Sequence, residues 1–181
     1  MRATNSVLAL AVLTFASAGF ATATEAPATF PVSEFTFKRP PAWEWVETTS
    51  AMRKAQLKVL SADKKESAEV VFYYFGQGGG GGTQANVDRW LGQFQEHKEQ
   101  IKAKVEEVTV NKRKVTYVQA EGTYLSGMPA GPKTPQPNSM LLGAVLESES
   151  GNVFVKMTGP SAVTKASITE FKQMVESALN K

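Results

Sequence analysis

The sequence predicts an α+β fold: an α/β/α sandwich with a mainly antiparallel central sheet and two covering helices. Three observations carry the prediction. Most of the chain alternates apolar and polar residues at the two-residue period of strands, and two stretches switch to the helical period. Two short segments, 70–75 and 140–146, are apolar on both faces, as strands in the middle of a doubly covered sheet must be.

Taken in order, Phe35-Thr36-Phe37 reads as a strand, and Pro40-Pro41 turns the chain into Trp43-Glu44-Trp45, a second strand with both tryptophans on one face. Within 52–60, Ala55, Leu57 and Val59 face one way while Lys54, Gln56 and Lys58 face the other. Residues 70–75 follow as a central strand. From residue 83 to about 100 a helix is expected, because Val87, Trp90, Leu91 and Phe94 recur at i, i+3, i+4 and i+7. Residues 104–110 and 114–124 alternate again and meet near Asn111 as a hairpin. Residues 125–139 carry Pro129, Pro132, Pro135 and Pro137 with Gly127 and Gly131, which predicts an irregular loop. Residues 140–146 and 153–157 return as strands around the turn Ser150-Gly151-Asn152, and Gly159-Pro160 ends the sheet. Ile168, Phe171, Val175 and Ala178 then share one face of a closing helix. The order is four strands, a helix, four strands, a helix, and the short turns favour antiparallel pairing within each group.

At the N-terminus, Arg2 precedes an apolar stretch over 7–15 and the small residues Ala21-Thr22-Ala23, the pattern of a cleavable export signal spanning residues 1–23. The apolar run is far shorter than the roughly 20 residues of a spanning helix. No transmembrane anchor is therefore expected, and the protein should be soluble and either periplasmic or secreted. Residues 24–34 read as a flexible lead and 35–181 as a single domain, long enough for an ordinary hydrophobic core. Cysteine is absent, which excludes disulfides and a lipid-bearing cysteine. The net charge is +3 with the two signs interspersed, so no nucleic-acid partner is expected. The densest basic cluster, Lys102, Lys104, Lys112, Arg113 and Lys114, is diluted by Glu106 and Glu107 and reads as a solvated sheet face.

The segment Phe35-Thr36-Phe37-Lys38-Arg39-Pro40-Pro41-Ala42-Trp43 resembles the opening of PsbP-like domains, where a strand ends in a proline followed closely by tryptophan. Phe171-Lys172-Gln173-Met174-Val175-Glu176-Ser177-Ala178-Leu179 is similar to the closing helix of that superfamily. The stretch from Phe75-Gly76 through Ala85-Asn86-Val87-Asp88-Arg89-Trp90 to Gln93-Phe94 also resembles one found in small exported bacterial proteins of unassigned function. The resemblance implies an α/β/α sandwich with an antiparallel sheet. It further implies binding or assembly rather than a shared reaction, because the superfamily spans photosystem accessory subunits, a nuclear transport accessory protein and bacterial envelope proteins. It supplies no catalytic residues.

The most conspicuous local feature is Gly76-Gln77-Gly78-Gly79-Gly80-Gly81-Gly82, which joins the strand 70–75 to Thr83. Bare backbone N–H groups beside a helix start make a seat for an anion. On the helix expected to follow, Asn86, Arg89, Gln93 and His97 fall on one stripe, and an arginine there suits a carboxylate or phosphate. The candidate contact residues are thus Gly78, Gly79, Gly80, Thr83, Asn86, Arg89 and Gln93, with the proline-rich loop as a lid. The competing reading is a plain flexible connection, favoured by the ordering entropy of five consecutive glycines, with the polar stripe bonding only to neighbouring loops.

Catalysis is harder to assemble. Residues 76–83 partly satisfy a nucleotide-binding P-loop pattern, but Gly82 stands where the phosphate-binding lysine must be. His97 is the only histidine, and Asp88, nine residues back on the same helix, points to the opposite side, so a triad would need a distant glutamate. One histidine and no cysteine leave only carboxylates to complete a zinc site, and no metal or other cofactor is expected. Trp43 and Trp45 are read as core filling beside a sheet edge. The expected function is non-catalytic: an exported accessory protein of the cell envelope, contacting a partner protein or a small anionic or amphipathic ligand. The alternatives are a hydrolase using His97 with a glutamate, or a purely structural envelope component.

Overall fold

Apolar alternation begins before residue 35, and so does the fold. The computed structural model describes residues 26–127 and 131–180. In it, β1 (Thr29–Val32) turns back onto β2 (Phe35–Lys38) as an antiparallel hairpin with Phe30 opposite Phe37. This corrects the flexible lead expected over 24–34. Phe30 and Val32 are buried, and at about 1.5–3 kcal/mol for each large apolar side chain their burial holds the segment down. The expected export signal over 1–23 lies outside the described residues.

Arg39 locks this hairpin to the chain before it. Its guanidinium donates to the carbonyls of Pro27 at 2.8 Å, Ala26 at 3.2 Å and Trp43 at 2.5 Å. Arg39→Ala is expected to lower stability by about 1–3 kcal/mol. It should also speed amide hydrogen exchange in β1, and unchanged protection there would refute the clamp.

The main sheet contains β3 (Glu44–Trp45), β4 (Arg53–Leu60), β5 (Ser67–Tyr74), β6 (Lys104–Val110), β7 (Arg113–Ser126), β8 (Thr134–Leu146) and β9 (Val153–Pro160). Their order is β3-β4-β5-β9-β8-β7-β6, with every neighbouring pair antiparallel. The last strand in sequence is thus inserted between the two that read as central. On one face Leu57, Phe72, Val155, Met157 and Leu142 pack against the β1–β2 hairpin, Trp43 and the closing helices. Phe72 meets Phe30 and Phe37 edge-on with ring centres 5.0 Å apart. Trp43 is fully buried with its indole N–H donating to Glu170, and Trp45 packs on the same core, so both tryptophans fill space as expected.

The closing helix is two helices, α2 (Ser161–Ala166) and α3 (Ile168–Ser177), so among the described residues three helices rather than two cover the sheet. The break is at Ser167, whose hydroxyl bonds back to the Val163 carbonyl at 2.9 Å and competes with the backbone ladder. The opposite sheet face carries α1 (Thr83–Leu91), which is half the length expected. Gly92 caps it, and the chain then turns to pair with β7: Leu125 N–H donates to the Gln93 carbonyl and Gln95 N–H to that of Thr123, both short backbone bonds. Phe94 satisfies the helical period only because its irregular backbone returns it to the cluster that holds Val87, Trp90 and Leu91. Trp90 lies flat on Gly143, where an added Cβ would sit 2.2 Å from the indole.

The proline-rich segment is also corrected. β7 and β8 remain paired from Tyr124–Gln136 out to Ser126–Thr134, so most of 125–139 is a ribbon rather than a loop. Pro135 and Pro137 are tolerated because β9 pairing with β8 ends at Ser139, leaving one edge of β8 without a strand neighbour there. The basic cluster is largely neutralised in place: Lys104 pairs with Glu106, Lys114 with Glu107 and Arg113 with Glu34. Among the described residues no helix is long and apolar enough to cross a membrane.

Candidate functional site

The glycine loop is built around one buried side chain. Gly76, Gly78, Gly80 and Gly81 all have φ between 71° and 81°, a backbone region that side chains with a Cβ rarely enter. Gly80 lies against the rings of Phe75 and Phe154, where a Cβ would come within 2.6 Å and 2.8 Å. Asn86, one helical turn inside α1, is 3 % exposed. Its amide nitrogen donates to the Gly80 carbonyl at 2.9 Å and the Gly82 carbonyl at 3.0 Å, with Gly81 at 3.4 Å. Its own oxygen accepts from Arg89 at 2.8 Å. The result is a clasp: loop carbonyls converge on Asn86, and exposed Arg89 braces it from outside.

The predicted contact residues therefore divide. Gly80, Asn86 and Arg89 are brought together. Gly79 N–H closes a turn onto the Gly76 carbonyl at 3.1 Å, while Gly78 stays exposed at the loop surface. Thr83 turns away to donate to Glu147 at 2.7 Å. Gln93 lies beyond the end of α1 and so leaves the stripe, as does His97. His97 is exposed, and its ring makes no hydrogen bond or ion pair among the described residues. The hydrolase alternative, which needs that ring bonded to a glutamate inside a cleft, gains nothing from this placement.

Gln93 instead joins a cluster that sequence reasoning missed. Because α1 packs over β7 and β8, the same face of the sheet is left open over β4 and β5. Register places Arg53, Gln56, Glu69, Tyr73, Lys156 and Thr158 on this open flank. Lys156 projects from β9 at its centre. Its ammonium donates to Gln93 Oε1 at 3.2 Å and to the Tyr124 hydroxyl at 3.3 Å, and lies 5.8 Å from the centre of the Tyr124 ring. Tyr124 itself donates to Gln93 at 3.0 Å. The nearby carboxylate, Glu69, is taken by Arg53 at 2.7 Å and by Gln56 at 2.9 Å. Lys156 thus has no ion-pair partner among the described residues.

Burial pushes the Lys156 ammonium down to about 8, with the Glu69 charge opposing and Arg53 reinforcing the shift. Burial also pushes the Tyr124 phenol up to about 12, and raises that of Tyr73, so both remain hydrogen-bond donors at neutral pH. Phe75 is 43 % exposed and stacks on Tyr73 with ring centres 6.1 Å apart. Exposed Phe75 and half-buried Tyr73 thus line the sheet between the glycine clasp and the Lys156 ammonium. The one sequence signal for this was a lysine among the apolar residues of 153–157, unremarkable until β9 is known to be an interior strand. Among the described residues no group of three or more His, Asp or Glu side chains is placed to hold a metal ion.

Fold and site together define an α+β domain whose antiparallel sheet is fully covered on one face and half-covered on the other, with a cationic, aromatic patch on the open half. No family model matches the chain, and no curated protein matches it. Among solved structures it is similar to a protein of unknown function from Pseudomonas aeruginosa, at 16% identity and a TM-score of 0.47, covering 82% of this chain and 93% of the other. It is also similar to cyanobacterial PsbP from Synechocystis, at 10% identity and a TM-score of 0.48, covering 85% and 94%. Both likenesses are of fold outline.

Proposed function

We propose that this is a non-catalytic, exported accessory protein that holds a small amphipathic anion on the open flank of its sheet. Lys156 carries the reading. An ammonium drawn out of water and left without a carboxylate is matched by an anionic ligand group, which would replace missing charge compensation with a charge-assisted hydrogen bond. Tyr73 and Phe75 offer the apolar half of such a ligand a surface to stack on. Arg53 is already neutralised by Glu69, so the patch retains one unpaired positive charge and suits a monoanion. The glycine clasp supports the Phe75 end of this surface rather than gripping the anion with its own backbone.

The test uses 2-naphthoate as an aromatic monoanion, titrated calorimetrically into the mature protein at pH 7. Lys156→Gln, which keeps a donor but loses the charge, should weaken binding about 10- to 100-fold, the equivalent of one charge-assisted bond. Arg89→Ala should leave it unchanged. Affinity should also fall as pH rises through about 8, where Lys156 gives up its proton. Equal affinity for wild type and Lys156→Gln would sink the proposal.

A further inference from the structure

β7 and β8 run on past the end of β9, and between their ribbon, the start of β5 and the β9–α2 junction lies a pocket of about 710 Å³. That volume falls within the range of small-molecule sites. Its lining differs in kind from the Lys156 patch. Six hydroxyl side chains and two carboxamides contribute, and Glu66 is the one charged residue among them. With no cation on its wall the pocket has no charge to match an anion, and its mixture of polar groups with the apolar surfaces of Pro137, Pro160 and Ala162 suits a neutral ligand that carries both kinds of surface. Hydroxyls and carboxamides both donate and accept, so they complement a ligand that itself presents donor and acceptor on every group.

Ser139 makes the case specific. Most of the residue is buried, but its hydroxyl opens onto the pocket and has no hydrogen-bond partner among the described residues, which leaves it available to a ligand. The side chains of Ser67, Gln136, Asn138 and Thr158, also on the wall, are likewise unbonded to any described residue. Pro137 and Pro160 add small apolar surfaces between the polar groups.

From this lining we infer that the pocket binds a neutral saccharide, its ring hydroxyls taken by Ser139, Thr158, Asn138 and Gln136. The inference stands on the pocket's own residues and goes beyond the anion seat, which it adjoins through Tyr124 and Thr158.

The experiment is a ¹⁵N chemical-shift titration of the mature protein with maltose, cellobiose and N,N′-diacetylchitobiose up to tens of millimolar, with 2-naphthoate as a parallel arm. At least one disaccharide should shift the amides of Ser67, Ser139 and Thr158. The variant Ser139→Ala/Thr158→Val should weaken that response about fivefold or more, as expected for lost hydrogen bonds. Should the double variant misfold, exposed Asn138→Ala serves the same purpose. Pocket amides that ignore all three disaccharides, or that respond equally in the variants, overturn the inference. Naphthoate binding without a saccharide response overturns it while leaving the anion seat standing, and a saccharide response without naphthoate binding supports it and removes the anion seat.

Discussion

Lys156→Met is expected to make the folded protein more stable by about 1–3 kcal/mol at pH 7, while removing the anion seat. β9 lies between β5 and β8, so Lys156 is surrounded by strands on both sides and by Gln93 and Tyr124 above. Its ammonium is depressed from 10.5 to about 8, chiefly by burial. A depression of that size corresponds to about 3 kcal/mol of penalty on the charged form, from which the lost hydrogen bonds to Gln93 and Tyr124 subtract about 1. Methionine follows the same path without a charge. The sign with pH follows from proton counting. Between about 8 and 10.5 the unfolded chain keeps a proton on Lys156 that the folded chain has released, so the wild type gains stability as pH rises through that window. Below about 8 the penalty is constant and complete. Urea denaturation should therefore show the largest advantage of Lys156→Met below pH 8 and a narrowing one toward pH 10. A variant no more stable than wild type at pH 7 would mean the ammonium is well solvated, and the case for an unmet charge on this face would fall with it.

That this residue escaped sequence reasoning has a physical cause. Alternation over Arg53–Leu60 and the two-sided apolar run in β5 report local environment, and both were legible because each strand's own side chains declare which faces are dry. The position of β9 is a tertiary fact. Nothing in 153–157 reveals that the last strand enters the middle of the sheet, and only there does a single lysine become costly. Prolines mislead for a related reason. Pro135 and Pro137 forbid an interior strand position, and they do sit in β8, but in the part that has one neighbour only. Phe94 fits a helical period without being helical, since Gly92 ends α1 and the chain still delivers the ring to the same cluster. The clasp was half legible: Asn86 and Arg89 at i and i+3 had to share a helix face, and the glycines had to lie nearby. That the asparagine points its amide at loop carbonyls, rather than leaving the loop N–H groups for a ligand, depends on how the loop folds back over Phe75 and Phe154.

Asn86→Ala tests that clasp and should cost about 2–3 kcal/mol. The substitution removes a buried amide that two carbonyls within 3.0 Å rely on and leaves the Arg89 guanidinium without its acceptor. Five consecutive glycines lose more conformational entropy on ordering than any other run of that length, so the loop stays fixed only while something specific holds it. Released, residues 76–82 should exchange their amide hydrogens near the rate of an open chain, while β5 and α1 on either side keep their protection. Asn86→Asp separates shape from chemistry. It fills the same space but turns a carboxylate oxygen toward the carbonyls of Gly80 and Gly82, and should destabilise at least as much as alanine at neutral pH. The clasp also bears on binding, because Gly80 rests on the outer aromatic ring of the patch and steadies Phe75 against Tyr73. Naphthoate affinity should therefore fall severalfold in Asn86→Ala even though no atom of Asn86 faces the ligand. A loop that remains protected in the alanine variant would show that its contacts with Phe75 and Phe154 suffice to hold it, and the asparagine would then be a passenger on the fold rather than its fastening.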